Sequence, residues 1–198
     1  MELSVKLIML ENVMFSKKKL LITFFLVFLS TEIEASIKDN ILQDLKDIKN
    51  LSFSFEQNIN GKIENGECTI EYPKKIFCNY DLSNKKILVS NGRSLVIKTS
   101  NSYYIYSLEK TPLNYILDKD FLLNKIIELN ERIVDKNFIN FNFFENENEI
   151  NLFFDKNTYN LIGWQTLDIY QNLSITYINS ITKNKKLKKD LFKLPVKN

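Results

Sequence analysis

The side chains that could do chemistry are few. The 198-residue chain has no histidine, so both the usual proton carrier near neutral pH and the usual ligand of catalytic zinc are missing. Carboxylates, lysines and two cysteines remain. Asp118 and Asp120 could serve a hydrolase as acid and base, but that chemistry needs two acids converging in one pocket, and the sequence does not signal such a pocket. The acidic residues around Glu145–Glu149 fit a solvated hairpin turn. No enzyme, cofactor or metal is expected. Cys68 and Cys78 are the one chemically suggestive pair. In an oxidising compartment two cysteines are a candidate disulfide, and elsewhere they would be free thiols packed as small apolar residues.

The charge balance excludes another class. With 27 basic and 24 acidic residues, net +3 and interspersed, the chain lacks the concentrated basic stripe of a nucleic-acid-binding protein. The lysines of Lys183–Lys189 form the densest basic run, expected to be a solvated, flexible segment.

The elements that must position these groups begin near the N-terminus. Lys17, Lys18 and Lys19 precede an uncharged apolar run, Leu20 to Leu29, and small residues follow at Ala35 and Ser36. This is the order of a secretory signal peptide. The alternative, a transmembrane anchor, needs about 20 apolar residues, and the run is too short for it. Residues 1–35 are therefore expected to be removed, with Met14 as an alternative start, which leaves residues 36–198 as one exported domain. Within that domain Ile37, Ile41, Leu42, Leu45 and Ile48 recur at helical spacing. The period then drops to two. Leu51, Phe53, Phe55 and Ile59 alternate with polar residues, which marks a strand with one apolar face. A second strand runs from Lys62 to Tyr72, turns at Pro73 and returns through Ile76 to Tyr80, placing Cys68 almost opposite Cys78. Opposed antiparallel residues bring their β-carbons close enough for a disulfide.

Asn91-Gly92 between two apolar runs, Ile87 to Ser90 and Ser94 to Ile97, has the type I′ hairpin signature. Tyr103–Tyr106 reads as a further strand. Thr111-Pro112 opens a helical stretch with Thr111 as its N-cap and Leu113, Ile116 and Leu117 on its apolar face. Four more strands are expected near Phe138–Phe144, Ile150–Phe154, Leu161–Asp168 and Leu173–Ile181. Runs of hairpins with few helices predict a curved antiparallel sheet. It is either a barrel closed on a solid core or a partly open one around an apolar hollow.

Several segments, in order, resemble the LolA family of periplasmic outer-membrane lipoprotein carriers. They are Ser54-Phe55-Glu56-Gln57 after the amphipathic helix, Ile87 to Leu95 with its central Asn91-Gly92, Thr111-Pro112-Leu113, Phe154-Asp155 followed by Trp164, and the closing Asp190-Leu191-Phe192-Lys193-Leu194-Pro195. The likeness runs from about Ile41 to Pro195. It implies a mainly β (α+β) fold, a half-open antiparallel β-barrel with a helical lid over an apolar cavity. The implied cavity residues are Leu51, Phe53, Phe55, Ile70, Tyr72, Ile76, Tyr80, Val89, Leu95 and Ile97, with Leu113, Ile116 and Leu117 on the lid. By periodicity alone the same residues are ordinary core.

The implied function is that of a monomeric periplasmic chaperone. It would take acylated lipoproteins from the inner-membrane LolCDE transporter and pass them to a LolB-like outer-membrane receptor. Another lipid- or glycolipid-binding or lipoprotein-sensing module on the same fold is the alternative. The family arginine that pins the lid is replaced here by Tyr72, which offers one donor instead of five.

Overall fold

The computed structural model describes residues 36–134, 137–168 and 171–197. The expected signal peptide, residues 1–35, lies outside them. Residues 36–198 form a unit with its own core.

The first element, α1 (Ile37–Asp47), starts where its sequence provides a cap. The Ser36 hydroxyl accepts from the Asp39 amide at 3.1 Å, and the Asp39 carboxylate accepts from the Ser36 amide at 3.2 Å. This reciprocal pair satisfies two of the donors that a helix start leaves free. Ile41 and Leu45 of its apolar face are buried.

All strands belong to one antiparallel sheet. Strands β1 (Asn50–Ile59), β2 (Lys62–Glu71), β3 (Lys75–Tyr80), β4 (Ile87–Asn91), β5 (Ser94–Lys98) and β6 (Tyr103–Ser107) form one meander. Strands β7 (Arg132–Val134), β8 (Phe138–Glu145), β9 (Asn148–Asp155), β10 (Leu161–Leu167) and β11 (Leu173–Lys183) form the other. The meanders join where β1 pairs with β11, setting Phe55 opposite Ile178. The spatial order is β6-β5-β4-β3-β2-β1-β11-β10-β9-β8-β7, and β6 and β7 do not meet. The sheet is therefore open, as the resemblance implied. The short β7 was not legible from the sequence.

Two helices cover the concave face in place of closure. Between the meanders lie a 3-10 turn (Leu108–Lys110), α2 (Leu113–Ile116) and α3 (Lys119–Glu128). Each of the two longer helices places a lysine on the C-terminal carbonyls of the other: Lys38 donates to Leu129 O at 2.6 Å, and Lys119 donates to Lys46 O and Ile48 O, both at 2.9 Å. Ammonium groups at these ends complement the helix dipoles. Ile41, Leu45, Leu122 and Ile126 then pack on Ile70, Ile139, Phe141 and Phe154 in a continuous core.

Cys68 and Cys78 face each other across β2 and β3 and are joined by a disulfide, with Cα atoms 4.1 Å apart. The register set by Pro73 at the hairpin tip is what opposes them. Closing so short a loop restrains the unfolded chain by about 2.5 kcal/mol. The Cys68→Ala/Cys78→Ala double variant should lose roughly that much in a urea titration, and an unchanged midpoint would refute the estimate.

The local expectations met four corrections. Asn91 does not take positive φ, and Gly92 alone does, at 99°. The Asn91 side chain instead accepts the amides of Arg93 at 3.1 Å and Ser94 at 3.0 Å, so the turn is held by the asparagine side chain and is not type I′. The Thr111 hydroxyl donates back to Leu108 O at 2.8 Å and so closes the 3-10 turn instead of capping α2. The helical stretch also breaks in two, because Asp118 caps a new helix by accepting from the Phe121 amide at 3.1 Å. Finally, the lysine-rich C-terminus is not a loose tail. The Asn184 side chain accepts from the Lys49 amide at 2.6 Å and donates to Asp47 O at 2.9 Å, and Leu187, Leu191, Phe192 and Leu194 are partly buried beyond it.

Candidate functional site

Strand pairing sorts the side chains into two faces, since directly opposed residues point to the same side. Leu88 pairs with Ile97, and Ser90 pairs with Leu95. These continue the face of Cys78 and Cys68, which includes Phe53 and the rest of the core. At the end of this face not covered by α1 and α3, a hollow of about 280 Å³ remains. Leu88, Leu95 and Ile97 form one wall, Tyr104 and Tyr106 of the edge strand β6 another, and Trp164 and Leu167 of β10 the opposite side. Pro112 and Leu113, where α2 begins, lie at its rim.

Of the residues proposed from sequence, Tyr80, Leu95, Ile97 and Leu113 line this hollow. Leu51, Phe53, Phe55, Ile70 and Ile76 share the concave face but lie in the closed core, and Ile116 of α2 and Leu117 at its C-terminal end are buried in that same core. Val89 pairs with Phe77 and Val96, not with the concave residues, and so lies on the outer face. Leu88, Tyr106 and Trp164 went unassigned as cavity residues. Period-two counting from Leu95 across the hairpin would have found Leu88, but Trp164 needs the β10–β11–β1 register.

The polar groups near the hollow are mostly committed to one another. Gln57 donates to Ser174 Oγ at 3.1 Å and Thr176 Oγ1 at 3.2 Å, and accepts from the Tyr80 hydroxyl at 3.3 Å. Lys86 lies 4.0 Å above the Tyr80 ring and bonds the carboxylate of Glu64, which also takes Lys62 Nζ at 2.6 Å. Burial pushes the Tyr80 phenol up, and the nearby Glu64 charge adds to this, so it remains a hydrogen-bond donor at neutral pH.

Glu64 is only 3% exposed. Burial by itself would raise its pKa, but the hydrogen bonds and charges of Lys62 and Lys86 prevail and hold it below the ordinary value of 4.5. A carboxyl lowered in the folded state stabilises fully above that ordinary value, and the contribution disappears as pH falls through the lower folded value. Glu64→Gln should cost about 1–2 kcal/mol at pH 7 by leaving Lys86 unpaired, and the gap to wild type should narrow as the pH falls below the ordinary value of 4.5. A gap that stays constant or widens in urea titrations as the pH is lowered below that value would refute this.

Tyr72 does not take over the lid contact. Its hydroxyl is shut off from solvent and has no hydrogen-bond partner among the described residues, and burial pushes its pKa up. The neighbouring Lys74 holds the lid instead. Its amide donates to Leu117 O at 2.7 Å, and its Nζ lies 3.1 Å from the Asp118 carboxylate. On the other side Asn146 donates to the Tyr115 hydroxyl at 2.6 Å. An unsatisfied buried hydroxyl costs about 1–3 kcal/mol, so Tyr72→Phe should leave stability unchanged or raise it by up to about 1 kcal/mol. A loss beyond 1 kcal/mol would reveal a bond to this hydroxyl in solution.

An open antiparallel sheet with helices on its concave face and an apolar hollow at one end defines a half-barrel binding fold. Residues 46–195 match the family described as outer membrane lipoprotein carrier protein LolA, and the chain belongs to that family. LolA-family proteins are exported carriers or binders. Three solved structures show similar backbones at low identity. An uncharacterised conserved protein from Thermus thermophilus has 8% identity and a TM-score of 0.48, with 80% of this chain and 92% of that one covered. A LolA superfamily protein from Nitrosomonas europaea has 7% identity and a TM-score of 0.43, with 81% and 99% covered. The Mycobacterium tuberculosis lipoprotein LppX has 8% identity and a TM-score of 0.41, with 76% and 96% covered. No curated protein sequence matches the chain.

Proposed function

We propose that this chain is a periplasmic carrier that shelters acyl chains of lipoproteins between the inner membrane, where a LolCDE-type transporter loads it, and a LolB-like receptor at the outer membrane. The observation that carries this reading is an apolar hollow under a tethered lid in a member of the LolA family. The lipid-binding residues in this reading are Tyr80, Leu95, Ile97 and Leu113, joined by Leu88 and Trp164.

The size of the hollow sets the affinity. Ligand pockets typically span about 300–1,000 Å³, so 280 Å³ admits a segment of one chain, and fuller engagement requires the lid to move. Burying about eight methylenes at ~0.8 kcal/mol each gives about 6 kcal/mol, a dissociation constant of tens of micromolar. Cargo held that weakly can be handed on.

The test is to incubate residues 36–198 with spheroplasts containing a labelled inner-membrane lipoprotein and to assay the soluble fraction. A soluble one-to-one complex is expected, with crosslinks from a photoreactive residue at position 97 or 113 to the acyl chains. If the lipoprotein stays in the membrane, the carrier reading fails.

A further inference from the structure

The C-terminal strap carries the charge of this protein. From Lys183 onward the side chains comprise seven lysines and one acid, Asp190, for a net +6. The whole chain carries +3, so everything before the strap carries −3. Composition averaged over the chain hides this asymmetry.

The strap holds these lysines in place. It is anchored at Asn184, as described above, and by Asn50, whose side chain donates to Lys185 O at 3.0 Å. Farther along, Lys98 Nζ donates to Val196 O at 2.9 Å. Leu191 lies beside Thr69, Phe77 and Asn79, while Phe192 lies beside Lys75 and Asn91. The strap therefore runs along the outer face of β2–β4, with its apolar side chains inward. Lys185, Lys186, Lys188, Lys189 and Lys193 are exposed, and none of them forms an ion pair among the described residues. The acids in the neighbourhood are Asp190, Glu67 and Glu71, and Glu71 is paired with Lys75 at 2.8 Å.

We infer that this strap is a docking surface for anionic phospholipid bilayers. Five unpaired ammonium groups within nine residues match the density of basic residues that binds acidic lipid, where each lysine near the surface contributes roughly fivefold in partitioning. A bilayer is favoured over nucleic acid because all five are lysines, which act as point charges without the guanidinium fork that grips phosphates and bases. The strap lies on the face opposite the hollow, so docking leaves the hollow uncovered. This surface would concentrate the protein at a membrane whether or not the hollow carries lipoproteins.

The test is cosedimentation of residues 36–198 with vesicles of phosphatidylcholine alone or with 30 mol% phosphatidylglycerol added. Binding to the anionic vesicles is expected to be at least about fiftyfold tighter at 50 mM salt, and to vanish by 0.5 M salt. Lys→Gln replacement at 185, 186, 188, 189 and 193 together should abolish it with the thermal midpoint unchanged. Leu113→Asp, which alters only the hollow, should bind vesicles like wild type; loss of binding in that variant would assign the contact to the hollow. Equal partitioning to neutral and anionic vesicles, salt-insensitive binding, or tighter binding to duplex DNA at matched charge would each overturn the proposal. Should the quintuple variant fail to fold, the wild-type salt and vesicle comparisons decide alone.

Discussion

Leu113→Asp is expected to weaken binding of a long-chain fluorescent acyl probe by at least about a hundredfold, since an unpaired carboxylate facing an alkyl chain loses far more than the leucine contact. The site suits this test because Leu113 is only partly buried and begins α2. An acid in the first turn of a helix is favourable, which offsets the loss of apolar contact, so the thermal midpoint should stay within a few degrees of wild type. Leu113→Ala is the control. It removes a side chain but leaves the hollow apolar, and affinity should fall only several-fold, by about 1 kcal/mol, because Leu113 meets the chain at the rim through about one methylene's worth of contact. If aspartate and alanine weaken binding equally, the probe sits elsewhere. If neither does, the hollow beneath the lid is not the acyl site.

The second large effect concerns the fold. Gly66→Ala should destabilise the protein by about 3–4 kcal/mol, at the upper end of overpacking costs. Gly66 lies in β2 between Phe55 of β1 and Tyr80 of β3, whose rings meet edge to face 5.0 Å apart, at 76°. A methyl group at Gly66 would lie 2.1 Å from the backbone oxygen of Asn79 and 2.9 Å from the Phe55 ring. A glycine inside a strand ordinarily weakens it; here it makes room for two aromatic rings and a close backbone. Because the tightest contact is with backbone, trimming the ring in Phe55→Leu should not rescue Gly66→Ala. Rescue by more than 1 kcal/mol in urea titrations, or a loss below 1 kcal/mol for Gly66→Ala alone, would show that the strands separate easily at this point.

Much of this could be read from the sequence. The open antiparallel sheet followed from alternating runs such as Leu51-Phe53-Phe55 and from the ordered likeness to the LolA family. The Cys68–Cys78 bridge followed from a hairpin whose tip is Pro73. Turn geometry was less legible: Asn91 serves the turn through its side chain, whereas Asn-Gly suggested backbone φ, and the two uses share one dipeptide. The strap was misread because lysines at 185, 186, 188 and 189 dominate that stretch. The few apolar residues that pin it act through contacts with strands more than a hundred positions away.

The sequence by itself determined the alternation of faces along strands such as β1, because a strand's side-chain period is fixed by its covalent geometry; in the unbroken apolar run of β4 it did not, and Val89 faces outward. It also determined the family. What only the tertiary structure decided is which inward residues meet a helix and which meet empty space. Ile70 and Leu95 carry the same local signal. The reciprocal capping of α1 and α3 places their apolar faces over Ile70 and leaves Leu95 beside the hollow. The distinction between core and cavity is set by what packs opposite, a contact that no local periodicity encodes.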